Sequence, residues 1–142
     1  MLEITAVDDE PAELAGTLER LLGAHGDAAG YTFAPVTLAF EARLDGERIG
    51  GVHAVALNGW VLVKYLAVAP GHRGAGTGRA LMERLEAAAV AGGAEGLFVD
   101  TYGFQAPGLY RRLGYEEIGR LPTPDPGRTR HFFRKRLRRA PG

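Results

Sequence analysis

The run Arg73-Gly74-Ala75-Gly76-Thr77-Gly78 separates an apolar segment ending at Pro70 from a helix-patterned segment beginning at Arg79. A strand leading through a short loop into a helix, and on to a second apolar strand at 96–101, forces one parallel strand pair on whatever sheet forms. Gly74, Gly76 and Gly78 carry no side chain, so the loop turns tightly, approaches a ligand closely and aims several amide N–H groups at one anion. The helix behind it, residues 79–89, adds the positive end of its dipole. A phosphorylated ligand is the natural occupant, held along Arg73, Gly74, Ala75, Gly76, Thr77, Gly78 and Arg79.

Two familiar phosphate loops do not fit. A Walker loop ends in Gly-Lys-Ser or Gly-Lys-Thr, whereas Gly78 is followed by Arg79 and Ala80, which argues against ATP or GTP. A dinucleotide fingerprint counted from Gly74 has its last glycine one place early. A plain glycine-rich turn without a ligand is the remaining alternative.

With 142 residues, 46% of them hydrophobic, the chain sustains one ordinary core, so a single domain over 1–142 is expected. Its formal net charge of zero gives no electrostatic reason for nucleic acid or an anionic membrane as partner. Without cysteine, disulfides and thiolate metal sites are excluded, and no metal is expected. The N-terminus lacks a basic stretch leading into an apolar core, and no apolar run approaches spanning length, which points to the cytoplasm. The basic run Arg134-Lys135-Arg136-Leu137-Arg138-Arg139 reads as a solvated chain end.

Residues 2–7 alternate like a first strand, and Pro11 suits the first turn of a helix over 9–25 whose buried stripe is Leu14, Leu18, Leu21 and Leu22. Strands are predicted at 36–44 and 48–57 around an Asp45-Gly46 turn, with Asn58-Gly59 leading into a third strand at 60–69. Beyond the loop and its helix follow a strand at 96–101, a helix at 105–113, and strands at 115–119 and 131–137. Successive hairpins imply an antiparallel meander joined to one parallel pair.

Two signatures, in order, resemble those of the GNAT acetyltransferase superfamily. Arg73, Gly76 and Gly78 match in register its acyl-coenzyme A loop, the preceding Tyr65-Leu66-Ala67-Val68-Ala69-Pro70 resembles its "LxV.P" strand, and His72-Arg73-Gly74 its loop entry. Downstream, Ala106-Pro107-Gly108-Leu109-Tyr110-Arg111-Arg112-Leu113-Gly114-Tyr115 resembles the second signature, in which alanine precedes tyrosine by four residues and Gly-Phe or Gly-Tyr follows. The likeness covers nearly the whole chain, and Phe104-Gln105-Ala106-Pro107 with Arg130 to Leu137 looks like a small bacterial branch.

The resemblance implies an α/β fold with a mixed, mostly antiparallel sheet, its central parallel strands splayed apart and flanked by helices. It implies acetyl-CoA as cosubstrate and a small-molecule or peptide amine as acceptor, attacking the thioester directly; it also allows a homodimer. Pantetheine, which resembles a short peptide, would pair with the backbone of Leu66, Ala67 and Val68 as an added strand does. Tyr110 would protonate the departing thiolate, and a backbone N–H near Leu66 or Ala67 would stabilise the oxyanion. Gln105 and Ala106 fall beside the arm. Gly103 stands where many relatives carry an asparagine that bonds the arm, a departure for which Gln105 is the nearest compensation.

The general base is left open. The stretch Leu62-Val63-Lys64-Tyr65-Leu66 has no acid where many relatives place a glutamate, and Glu41, His53, Asp100 and His131 are the remaining candidates. Lys64 is positioned to pair with Asp100 across the parallel strands. Acceptor contacts are expected from 26–35 and 121–130. A non-catalytic acyl-coenzyme A sensor and a lysine or N-terminal protein acetyltransferase are the alternative functions.

Overall fold

The computed structural model describes residues 1–137, so Arg138 and Arg139 of the basic run lie outside the described residues. The chain divides into two compact units, Met1–Ala34 and Pro35–Gly142.

The first unit is built on one helix, α1 (Pro11–Ala28), with proline in its opening turn, where the missing N–H costs nothing. Past its end the chain folds back, Tyr31 N donating to Gly26 O at 2.8 Å. A Cβ at residue 26 would lie 2.9 Å from Tyr31 O and 3.1 Å from the Phe33 ring, so this close return requires glycine. Two expectations fail here. Residues 2–7 form no strand, because alternation supplies a face but the unit supplies no edge to pair with. Leu14, Leu18, Leu21 and Leu22 are exposed rather than buried, since the unit contains no second regular element to cover a helix face.

The second unit is a six-stranded sheet of order β1-β2-β3-β4-β6-β5. β1 (Val36–Leu44), β2 (Glu47–Leu57) and β3 (Trp60–Val68) form the predicted meander. Both connecting turns put their two residues at positive φ, Asp45 and Gly46 at 50° and 82°, Asn58 and Gly59 at 54° and 87°. That geometry matches the right-handed strand twist and selects Asp-Gly and Asn-Gly. β4 (Gly96–Tyr102) runs parallel to β3, and β6 (Arg130–Arg136) lies antiparallel between β4 and β5 (Glu116–Leu121).

Helix α2 (Thr77–Ala91) lays Leu81, Met82, Leu85 and Ala89, one stripe at helical spacing, on the sheet's Val52, Ala54, Val61, Val63, Leu97, Val99 and Phe133. It starts two residues before the predicted 79, because Gly76 at φ 84° is the break and Thr77 already turns helically. The short α3 (Pro107–Arg112) begins two residues later than predicted, at its proline, leaving Gln105 and Ala106 in the loop.

Candidate active site

β3 and β4 pair through three rungs only, Trp60 with Gly96, Val61 with Leu97 and Leu62 with Phe98. Beyond them each strand follows its outer partner, β3 staying on β2 as far as Val68 and β4 on β6 as far as Tyr102. Just where pairing ends, Lys64 is an extra residue in β3, since His53 opposes Tyr65 while Ala54 opposes Val63. Such a bulge bends its strand and increases its twist, which turns β3 away from β4. A gap opens between the two strands.

Backbone polarity along that gap follows from one hydrogen bond. Ala69 N donates to Ile49 O at 2.7 Å, which marks those residues as a hydrogen-bonded pair. Antiparallel pairs alternate, so Ala67 exchanges bonds with Gly51, while Leu66 and Val68 turn their N–H and C=O away from β2 toward the gap. Of the three residues predicted to offer backbone, two face it. Val68 O already accepts from Arg73 Nε at 3.1 Å, so the loop arginine folds back on the strand that precedes it.

The loop supplies free donors. Gly74 and Gly76 adopt φ of 82° and 84°. Among the described residues, no amide from Gly76 to Arg79 donates to a backbone carbonyl, the first that does being Ala80 N to Gly76 O at 3.0 Å. The N-cap is Gly76, which has no side chain to occupy the first-turn N–H groups of Thr77, Gly78 and Arg79. Arg79 is exposed and pairs loosely with Glu83 at 3.6 Å. At Gly78 a Cβ would sit 3.7 Å from Leu109 Cδ2, which brings the start of α2 beside α3.

On α3, Tyr110 is 4% exposed, its ring edge-on to Tyr115 at 5.6 Å and 5.9 Å from Phe133. Burial, with a smaller contribution from the charge of Asp100, pushes its hydroxyl up to about 12, so the phenol keeps its proton. Gln105 Oε1 accepts from Tyr102 N at 2.9 Å and from Thr101 Oγ1 at 3.3 Å, and Ala106 N donates to Thr101 Oγ1 at 3.3 Å. The Gln105 carbonyl is thus engaged in shaping its own loop. Gly103 is explained by packing: a Cβ there would land on Pro126 O, well inside the 3.0 Å that real Cβ atoms respect.

Three of the four candidate bases are already engaged. Glu41 is held by Arg43 at 2.6 Å and Arg48 at 2.5 Å, and those two bonds lower its pKa. Asp100 Oδ2 accepts from Arg130 Nε at 3.0 Å and Nη2 at 2.6 Å. Lys64 is therefore not its partner, because the bulge and the divergence of the strands carry Lys64 away. His131 Nδ1 lies 3.2 Å from Glu117 Oε2. Among the described residues His53 has no hydrogen-bond or ion-pair partner: its Nδ1 is buried and unbonded.

Sequence reasoning missed a partly buried ion pair. Lys135 Nζ bonds Glu86 Oε1 at 2.7 Å and Leu113 O at 2.8 Å, tying β6 to α2 and to the end of α3. Lys135 falls in the basic run expected to be a solvated end, yet it shares strand parity with the buried His131 and Phe133, and Glu86 lies one helical turn from Met82 on the buried stripe. Those two periodicities were the available signal.

Residues 36–117 match the family model of the acetyltransferase (GNAT) domain. The chain belongs to the GNAT acetyltransferase family. This GNAT chain is 42% identical over 93 residues to blasticidin-S acetyltransferase of Streptomyces morookaense, covering 65% of itself and 68% of that protein. It is 36% identical over 103 residues to streptothricin acetyltransferase of Streptomyces lavendulae, the match spanning 68% of this chain and 51% of that one. A crystal structure of an Agrobacterium tumefaciens protein described as an acetyltransferase superposes with a TM-score of 0.81 at 28% identity, over 96% of this chain and 99% of the other. The protein is an acetyl-transferring enzyme with the mixed GNAT sheet, and members of its family use acetyl-CoA as cosubstrate. Among the described residues no helix is long and apolar enough to cross a membrane, and no group of three His, Cys, Asp or Glu side chains is placed to hold a metal ion.

Proposed function

We propose that residues 1–142 act as one cytoplasmic N-acetyltransferase domain, moving an acetyl group from acetyl-CoA directly to a primary amine of a small molecule. The observation that carries this reading is the gap beyond the third β3–β4 rung, with unbonded amides from Gly76 to Arg79 at the start of α2. The printed activities of the two Streptomyces relatives favour an antibiotic-sized acceptor over a protein.

In this reading the diphosphate rests on the amides of Gly74 to Arg79 and the dipole of α2, with the Arg73 and Arg79 guanidinium groups beside it. The pantetheine arm lies against the gap-facing groups of Leu66 and Val68 and passes Gln105 and Ala106. Leu66 N–H then suits the developing oxyanion, a fixed donor of a kind that contributes about 3 kcal/mol. Tyr110, kept protonated by burial, donates to the departing thiolate. Holding both reactants in one geometry supplies much of the remaining acceleration.

Calorimetry of coenzyme A binding joined to kinetics of Tyr110→Phe tests this. Turnover should fall by about 100-fold, the usual scale for a lost acid, while coenzyme A affinity stays within about threefold. Unchanged turnover removes Tyr110 as the acid, and absence of coenzyme A binding removes the reading.

A further inference from the structure

On the sheet face opposite α2, cross-strand pairing aligns two rows: Ala39, His53 and Tyr65 in one, Glu41, Gly51 and Ala67 in the next. Three of these six residues are alanine or glycine, so the face is hollow at its centre and walled by His53, Tyr65 and Glu41. A cleft of about 680 Å³ occupies the hollow. A Cβ at residue 51 would crowd Phe40 O at 3.2 Å, and one at Gly50 would lie 2.8 Å from Ala67 O, closer than real Cβ atoms come. The cleft borders β3 at Tyr65, next to Leu66, whose N–H faces the gap.

We propose that this cleft receives the amine acceptor and that His53 takes the proton from its ammonium group. The proposal rests on the acetyl transfer argued above and adds the acceptor's place and the missing base. Charge and chemistry limit the occupant. The floor is small and apolar, and the Glu41 carboxylate at the wall is neutralised by Arg43 and Arg48, so a compact apolar or flat body fits and a polycation gains nothing. Among the titratable groups lining the cleft, Glu41 and Arg48 are paired with each other, and Tyr65 lies against the His53 ring at 6.0 Å. His53 is left without a partner. His53 lines the cleft, and with Nδ1 buried and unbonded no neighbour fixes its tautomer, so the proposal assigns the amine's proton to Nε2.

The step balances simply. An N–H bond of the ammonium breaks as Nε2 gains the proton, and the freed lone pair forms the C–N bond to the thioester carbonyl. As the C–S bond breaks, Tyr110 protonates the thiolate, the nitrogen gives its second proton to the resulting phenolate, and the imidazolium releases the first to water.

Thiol release is measured with benzylamine, which arrives as an ammonium ion at neutral pH, and with benzhydrazide, which arrives neutral, while calorimetry follows coenzyme A binding in each variant. His53→Gln should lower kcat/KM for benzylamine by about 100-fold and for benzhydrazide by less than about threefold. Ala39→Phe, on the edge strand, fills the hollow and should raise KM for both amines by about tenfold with coenzyme A affinity unchanged. Equal losses with both amines in His53→Gln, no loss with benzylamine, an unaffected KM in Ala39→Phe, or no turnover of either amine by wild-type protein that binds coenzyme A would each overturn the proposal. Wild-type protein that fails to bind coenzyme A would instead strike the underlying reaction, and the proposal with it.

Discussion

Restoring the asparagine that many GNAT relatives carry, Gly103→Asn, should damage this enzyme rather than improve it. The new Cβ would meet Pro126 O inside van der Waals contact, with the Pro126 carbonyl carbon at 3.3 Å and Gly127 Cα at 3.5 Å. All three are backbone atoms, so no rotamer change relieves the clash. Nor can the loop hinge freely, because Gly103 N donates to Thr129 O at 2.9 Å and Phe104 N to Gly127 O at 3.1 Å. Something must move by roughly 1 Å to reach ordinary contact distance. Overpacking of this kind costs about 1–3 kcal/mol, and breaking one of the two loop bonds adds about 1 kcal/mol. At about 3–4 °C per kcal/mol for a chain of this size, Tm should fall by roughly 6–16 °C. Thermal unfolding followed by circular dichroism, with and without coenzyme A, reads this directly. A variant with wild-type Tm and tighter coenzyme A binding would refute the packing argument and show that the loop has room for the family's side chain.

Tyr115→Phe should leave stability unchanged or raise it by up to about 1 kcal/mol in urea unfolding, because the Tyr115 hydroxyl is buried without a partner. A loss larger than that would mean the hydroxyl is satisfied. Acid stability depends on Glu117, whose carboxyl is pulled down to about 2, chiefly by the Arg120 hydrogen bond and further by those of Arg111 and His131, against the opposing effect of burial. A folded pKa below the ordinary 4.5 means the cluster stabilises the fold above that value and loses its contribution as pH falls toward 2. Glu117→Gln should therefore flatten the decline of Tm across that window, modestly, since its arginine partners are half exposed. An acid limb identical to wild type would show that the cluster does not couple to folding.

Local chemistry made most of the sheet legible. Asp45-Gly46 and Asn58-Gly59 each fix a two-residue turn, and a two-residue turn fixes the register of the strands it joins; β1 occupies the predicted 36–44 without adjustment. The parallel pair followed from the glycine loop and its helix, and even the splay was anticipated from the family likeness. The N-terminal readings failed for the opposite reason. Alternation at 2–7 and the leucine stripe of α1 state which face is apolar, but a strand also needs an edge and a stripe needs a cover, and neither demand is written in the segment itself.

The proposed catalytic side chains divide along the same line. Tyr110 was legible as the proposed acid because the family ties that role to a spacing, Ala106 to Tyr110, that the chain carries locally. The base was not, because what distinguishes His53 from Glu41, Asp100 and His131 is the absence of a partner, and partners come from other strands: Arg48 reaches Glu41 from β2, Arg130 reaches Asp100 from β6, and Glu117 reaches His131 from β5. Four residues of suitable chemistry are equivalent in one dimension. Folding places an opposite or hydrogen-bonding group beside three of them and leaves the fourth at a hollow beside Leu66, so the acceptor assignment stands or falls with cross-strand register. A one-residue slip of β2 against β3 would turn His53 to the opposite face of the sheet, among the side chains packed under α2, and would take the proposed base away from the amine.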